Sequence, residues 1–281
     1  MRAMTTEILR YAAFSASPEG GNPAGVVLDA SGLDDAAMQR IAAEVGYSET
    51  AFVTAADGDD LTIRYFSPEA EVPFCGHATI ATGVAWGERH GAAQLRLATR
   101  SGLVVLDVEP GTHPVATLTS VAPHTEAVSD EDLAEALAAL GWEAGELDPA
   151  LPVRVGFAGA KHLILAAATV DRIAALDYDY DRLKALMAAR DWTTLQLVYR
   201  GAPTSFHCRD PFPPGGVVED PATGAAAAAL GGYLRELELI EVPAEIVIHQ
   251  GTEMGRPSLL RVAIPAEPGS GIRVSGTAVV I

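Results

Sequence analysis

Cys75-Gly76-His77-Ala78-Thr79-Ile80-Ala81-Thr82-Gly83-Val84-Ala85-Trp86 follows a proline-containing loop, Ser67 to Phe74, and carries no acidic or basic side chain apart from His77. An apolar run that is opened by a glycine and is longer than an ordinary strand predicts a buried helix. A second stretch repeats the arrangement. Glu219-Asp220-Pro221-Ala222-Thr223-Gly224 leads into the small-residue run Ala225 to Glu236, where Ala225 to Ala229 is a strong helix former. Each half of the chain therefore carries a strand, a loop and a glycine-opened buried helix, which predicts an α+β protein of two related lobes.

The segments around these helices fit that picture. Glu7 to Phe14 reads as a strand, Ser15 to Gly25 as a turn region, and Val26-Val27-Leu28 as a returning strand. Asp34 can cap a helix over Asp35 to Val45 that Gly46 ends. Strands are expected at Tyr47 to Val53, Leu61 to Phe66, Leu95 to Leu97, Gly102 to Val108 and Val115 to Leu118. Ser129 opens a helix with Leu133, Leu137 and Leu140 on one face. Beyond it come strands at Arg154 to Phe157, Leu163 to Ala167 and Leu195 to Tyr199, a helix at Tyr180 to Arg190, and a loop from Asp210 to Gly216. The expected division is a lobe over 1–120, a lobe over 121–267, and a C-terminal segment 268–281.

Composition narrows the function. The chain has 281 residues, 49% of them hydrophobic, so it can build a sizeable core. With 19 Lys and Arg against 37 Asp and Glu the net charge is −18, which repels nucleic acid and anionic membranes. Two cysteines, Cys75 and Cys208, are too few for a disulfide scaffold and suit a reducing, cytoplasmic compartment. No window reaches the roughly 18 apolar residues of a membrane span, and Met4 offers a possible second start.

Several residues could carry chemistry. The first N–H groups of a helix lack intrahelical partners and sit at its positive end, so Gly76 with Ala78, and Gly224 with Ala225, could admit a carboxylate to the backbone; equally, the glycines could serve close packing alone. Glu49, in Tyr47-Ser48-Glu49-Thr50-Ala51-Phe52-Val53, shares a strand face with Ala51 and Val53. In an apolar setting it becomes a general acid or base; otherwise it is a strand-end carboxylate paired with an arginine. His77 could move a proton or simply cap its helix. Asp220, ahead of Pro221, could cap or orient. Cys75 at a helix start could be nucleophilic but reads as a small buried hydrophobe, as does Cys208. The remaining histidines lack ligand spacing, so no metal site is expected.

Taken together, Gly21-Asn22-Pro23-Ala24-Gly25-Val26, Tyr47-Ser48-Glu49-Thr50-Ala51-Phe52, Pro73-Phe74-Cys75-Gly76-His77-Ala78-Thr79, Glu219-Asp220-Pro221-Ala222-Thr223-Gly224 and Gln250-Gly251 with Gly255-Arg256-Pro257-Ser258 resemble the PhzF family of phenazine-biosynthesis-like proteins. The resemblance implies a diaminopimelate-epimerase-like fold: two pseudo-symmetric lobes, each a central helix wrapped by a curved, mainly antiparallel sheet, with the active site between them. It also implies a homodimer, a return of the C-terminal strand to the first lobe, and a cofactor-free isomerase that moves a proton on a small carboxylic acid. Under that resemblance the acid/base glutamate falls on Glu49, with His77 and Asp220 lining the site. Gly76, Ala78, Gly224, Ala225 and Asn22 become substrate contacts. Ala225 stands where many members have a serine, and Cys75 and Thr223 stand where related racemases have two cysteines. A one-thiol epimerase using Cys75, or a binding protein that has lost the reaction, are the alternatives to an isomerase.

Overall fold

The computed structural model describes residues 6–281, so Met4 lies outside the described residues. The chain divides into two compact units, 1–119 with 275–281, and 120–274.

In the first unit β1 (Leu9–Ala13) and β2 (Asn22–Val27) form an antiparallel pair. Helix α1 (Asp35–Val45) then crosses to β3 (Glu49–Asp57), which runs parallel to β2. Strand β4 (Asp60–Phe66) returns antiparallel to β3 and carries the two-residue β5 (Glu71–Val72) on its end. Helix α2 (Gly76–His90) leads to β6 (Ala93–Thr99), parallel to β4, and the antiparallel β7 (Gly102–Glu109) and β8 (Val115–Thr119) follow. The segment Ala278–Val280 pairs with β1 on its other side. Ser275 joins hydroxyls with Thr117 at 2.8 Å, and Thr277 donates to Pro114 O at 2.9 Å. The chain's end is thus stitched to both margins of this sheet.

The second unit repeats the sequence of pairings. Strand β9 (His124–Glu126) lies beside β10 (Arg154–Phe157), with α3 (Asp130–Leu140) between them in the chain. Strands β10 and β11 (Lys161–Ala166) are antiparallel. After α4 (Val170–Ala174) and α5 (Tyr180–Arg190), β12 (Thr194–Ala202) runs parallel to β11. Strand β13 (Ser205–Pro211) is antiparallel to β12 and carries the short β14 (Glu219–Asp220). Helix α6 (Gly224–Glu236) leads to β15 (Ala244–Gln250), parallel to β13, and to the antiparallel β16 (Ser258–Ile264). The order antiparallel, parallel, antiparallel, helix, parallel, antiparallel occurs once in each unit, making the chain α+β with an internal structural repeat.

Strands β5, β9, β14, β15 and β16 and helix α4 lie outside the elements expected from the sequence. Ile246, Ile248 and Gln250 of β15 alternate inward, so its signal was present. Asp210 and Pro211, expected in a loop, end β13 instead, because β14 folds back to pair with them.

Composition explains why α2 and α6 sit at the centres of their units. Residues His77 to Gly87 of α2 are all buried, as are Ala226 to Leu234 of α6. Side chains that small bring strands close: a Cβ on Gly83 would lie 2.6 Å from Leu106 Cδ2 and 3.0 Å from Ala116 Cβ, and one on Gly231 2.8 Å from Ile272 Cγ2. The outer helices behave differently. Helix α1 packs Met38, Ile41, Ala42 and Val45 on Phe52 and Phe66, while α3 and α5 share a core with Trp142 and Trp192.

Within the second unit His162 on β11 is fully buried. Its Nδ1 lies 2.8 Å from Thr194 Oγ1, its Nε2 has no hydrogen-bond partner, and burial pushes its pKa down to about 3. An unfolded imidazole titrates near 6.5, so between these values the unfolded chain binds the extra proton and stability falls as pH is lowered. Denaturant midpoints should drop from about pH 6.5 downward, this residue contributing up to about 1.4 kcal/mol per pH unit. In His162→Gln that part of the slope should vanish; an unchanged slope would locate the acid sensitivity elsewhere.

Candidate functional site

Four helices begin on a side-chain cap: Asp34 accepts from Ala37 N, Ser129 from Asp132 N, Thr169 from Arg172 N and Asp179 from Arg182 N. The two central helices do not. Cys75 and Thr223 occupy the N-cap positions of α2 and α6 without a side-chain cap bond. The first rungs run from Thr79 N to Cys75 O and from Ala227 N to Thr223 O, so the amides of Gly76, His77 and Ala78, and of Gly224, Ala225 and Ala226, precede them.

In the first unit, α2 is anchored by Thr79, whose hydroxyl donates to Cys75 O at 2.6 Å and meets the buried Tyr65 hydroxyl at 2.6 Å. That bond fixes Cys75 and His77 at the helix start. Glu49 opens β3 opposite Ala24 of β2, with Asn22 two residues earlier on the same face. Next to it, Gly25 faces Thr50, where a Cβ would come within 2.5 Å of Oγ1. Thr50 and Phe52 are as buried as Ala51 and Val53, so β3 is covered on both faces beyond Glu49, which itself keeps 16% side-chain exposure.

The imidazole of His77 stands between a thiol and a carboxylate. Its Nδ1 is 3.3 Å from Cys75 Sγ; its Nε2 is 3.5 Å from Glu49 Oε2 and 3.4 Å from Ser48 Oγ. A neutral imidazole donates from one nitrogen and accepts on the other, so Cys75 and Ser48 are its two hydrogen-bond partners, with the Glu49 carboxylate beside Nε2. These distances lie at the long end of the hydrogen-bond range. Glu49 is thus partnered by a histidine rather than an arginine. The same three residues offer a carboxylate oxygen, a thiol and an imidazole nitrogen within 4.8 Å of one another, a donor set for a metal ion that histidine spacing alone did not reveal.

In the second unit Asp220 does not cap α6. Its Oδ2 accepts the Thr223 hydroxyl at 2.5 Å. Gln250 completes the arrangement, accepting from Thr223 N at 3.1 Å and donating to Asp220 O at 2.8 Å and Thr223 Oγ1 at 3.0 Å. Gly251, at φ +74°, turns the chain directly after Gln250, and a Cβ there would lie 2.7 Å from Pro221 O. Below this cluster Glu219 grips the Arg209 guanidinium with both oxygens, at 2.9 and 2.6 Å, and Arg209 also donates to Ala174 O at 2.8 Å.

The structure therefore gathers Glu49, His77, Gly76 and Ala78 in the first unit, and Asp220, Gly224 and Ala225 in the second. Beside them stand contacts that the sequence did not point to: Cys75 as the partner of His77, Ser48 on its other nitrogen, and Thr223 and Gln250 around Asp220. The Gln250-Gly251 dipeptide was their visible trace. Cys208 is fully buried, and burial pushes its thiol pKa up, matching a buried hydrophobe.

Comparison with known proteins agrees across the whole chain. The family model of phenazine biosynthesis-like proteins, PhzC-PhzF, matches residues 11–281. The chain is 35% identical over 272 residues to the trans-2,3-dihydro-3-hydroxyanthranilate isomerase of Pseudomonas fluorescens, covering 95% of this chain and 94% of that one. It is 29% identical to the uncharacterized isomerase YddE of Escherichia coli K12, covering 99% and 97%. A crystal structure of a PhzF-family phenazine biosynthesis protein from Bacillus anthracis superposes with TM-score 0.87 at 29% identity, covering 99% and 98%. A probable proline racemase from Agrobacterium radiobacter, at TM-score 0.65 and 13% identity, shares the fold.

The Arg209–Glu219 pair makes a prediction. Both side chains are largely buried, at 11% and 4% exposure, so removing one charge strands the other. Glu219→Gln should lower unfolding stability by about 3–5 kcal/mol in urea titrations, and a loss under about 1 kcal/mol, the size of a surface pair, would contradict this.

Proposed function

The chain belongs to the phenazine biosynthesis-like family and is an isomerase of that family; from this premise we propose that Glu49 is the general acid/base that moves a proton between carbon atoms of a small carboxylate-bearing substrate, without a cofactor. The observation that carries this reading is the Glu49–His77 pair at 3.5 Å at the start of a buried, uncapped helix. A carboxylate takes the proton from a C–H bond, the electron pair left behind spreads into the substrate's π system, and the same group returns the proton at a second carbon. Base and product proton balance, and nothing is oxidised or reduced.

The other groups have supporting roles in this reading. His77, donating from Nε2, orients Glu49 and stabilises its ionised form between transfers. The backbone amides of Gly76 and Ala78, and those of Gly224 and Ala225, are the donors proposed for substrate carboxylate and developing negative charge, helped by the positive end of each helix. Asn22 is proposed as a further polar contact. Asp220, held by Thr223 and Gln250, is proposed to touch substrate as the third catalytic group. We extend the reading to a homodimer acting in the cytoplasm. The relatives' named substrate is the first compound to test, although Ala225 brings no side-chain hydroxyl to its position.

A second reading has its own observation: the Cys75 thiol lies 3.3 Å from a histidine nitrogen, which would make it a one-thiol epimerase base. One experiment separates them. Proton NMR in D2O of trans-2,3-dihydro-3-hydroxyanthranilate with the wild type should show isomerisation with deuterium uptake. Glu49→Gln should reduce the rate by about 10²-fold to 10⁴-fold or more, while Cys75→Ala should retain most of it. Full activity in Glu49→Gln, or its loss in Cys75→Ala alone, would overturn the assignment.

A further inference from the structure

Asp210, near the end of β13, is 0% exposed, and neither of its carboxyl oxygens receives a hydrogen bond. It pairs with Asp220 in the short β13–β14 ladder. The Thr223 hydroxyl, the Gln250 amide and the carboxylates of Asp220 and Glu219 surround it, and Cys208 is two residues back on the same strand. Glu219 is already engaged by Arg209.

A count of hydrogens shows what state Asp210 must be in. Thr223 has one hydroxyl hydrogen, and it goes to Asp220 Oδ2. Gln250 has two amide hydrogens, which go to Asp220 O and to Thr223 Oγ1. Thr223 and Gln250 lie near enough to favour an ionised Asp210, but with their hydrogens placed in this way both are committed to Asp220 and to one another. Thr223 Oγ1 accepts only one of the two hydrogens it can take. An ionised carboxylate without donors in a closed site is costly, whereas a neutral acid brings the missing hydrogen with it.

We propose that Asp210 is held as a neutral carboxylic acid that donates its hydroxyl hydrogen to Thr223 Oγ1, and that it thereby acts as a positioning residue for Asp220. With both lone pairs of Thr223 engaged, by Gln250 and by Asp210, the hydrogen of Thr223 has Asp220 as its remaining direction. An ionised Asp210 would do the reverse, competing for that hydrogen and repelling the Asp220 charge. Burial, outweighing the opposing pull of Thr223 and Gln250 and reinforced by the Asp220 and Glu219 charges, pushes the Asp210 pKa well above the ordinary carboxylate range, in keeping with this arrangement. The inference deepens the role proposed for Asp220, but its test needs no substrate, so it stands or falls apart from the isomerase reading.

Two substitutions isolate the hydrogen bond. Asp210→Asn is neutral and keeps an N–H for Thr223; Asp210→Val is neutral and has none. Infrared spectra of the full chain near neutral pH should show the carbonyl stretch of a protonated carboxyl group in the wild type, absent in Asp210→Asn. With aspartate carboxyl carbons labelled with ¹³C, the Asp220 titration midpoint should stay near the wild-type value in Asp210→Asn. In Asp210→Val it should rise by about half a pH unit or more, because a hydrogen bond to the ionised form is lost. An acid carbonyl band missing from the wild type or unchanged in Asp210→Asn, or an equal displacement of Asp220 in both variants, would overturn the proposal. Should Asp210→Val fail to fold, the infrared comparison between wild type and Asp210→Asn decides alone.

Discussion

A helix buried on every side has to be narrow, and it has to begin inside the protein. Both demands fall on α2 and α6. Narrowness explains the glycines, alanines and threonines along them, since Gly83 and Gly231 face side chains that leave no room for a Cβ. The buried beginning explains the chemistry. Six backbone amides, three at each helix start, precede the first helical rung, and neither N-cap residue turns its own side chain onto them. The helices at the periphery, with water nearby, all carry conventional caps.

The side chains at the N-cap positions of these helices are employed elsewhere. Cys75 turns to His77, and Thr223 turns to Asp220. Each helix start is thereby bordered by an acid: Glu49 through the imidazole, Asp220 through the hydroxyl. The two borders differ in kind. The first brings a carboxylate, an imidazole and a thiol side by side. The second is a tightly satisfied network of hydroxyl, amide and carboxylate, suited to holding a fixed orientation. A repeated topology has therefore been given two chemical characters through the loop residues that precede each helix.

Much of this was legible in the residues. The glycine-opened apolar runs at Gly76 and Gly224 marked both central helices, and the caps at Asp34 and Ser129 marked two of the outer ones correctly. Glu49, His77 and Asp220 stood out because charged or titratable groups beside apolar runs are unusual. What escaped was whatever depends on contacts distant in sequence. Gln250 reaches Thr223 across 27 residues, and Asp210 meets Asp220 only because β14 folds back. Cys75 read as a buried hydrophobe, which its burial supports, yet its sulfur also faces an imidazole; a residue can fill space and hold a proton at once. Periodicity reports which face is covered, and on β3 both faces are, so alternation said little about Glu49.

The pairing of Ala278–Val280 with β1 joins the last strand of the described chain to the first. During vectorial synthesis the residues of the second unit, 120–274, all emerge before that strand does, so the unit encoded second can complete its sheet first. Throughout that interval the first unit has β1 with one flank unpaired, an open sheet edge of the sort that recruits other strands. Closure of the first unit therefore waits on a strand encoded after the whole of the second.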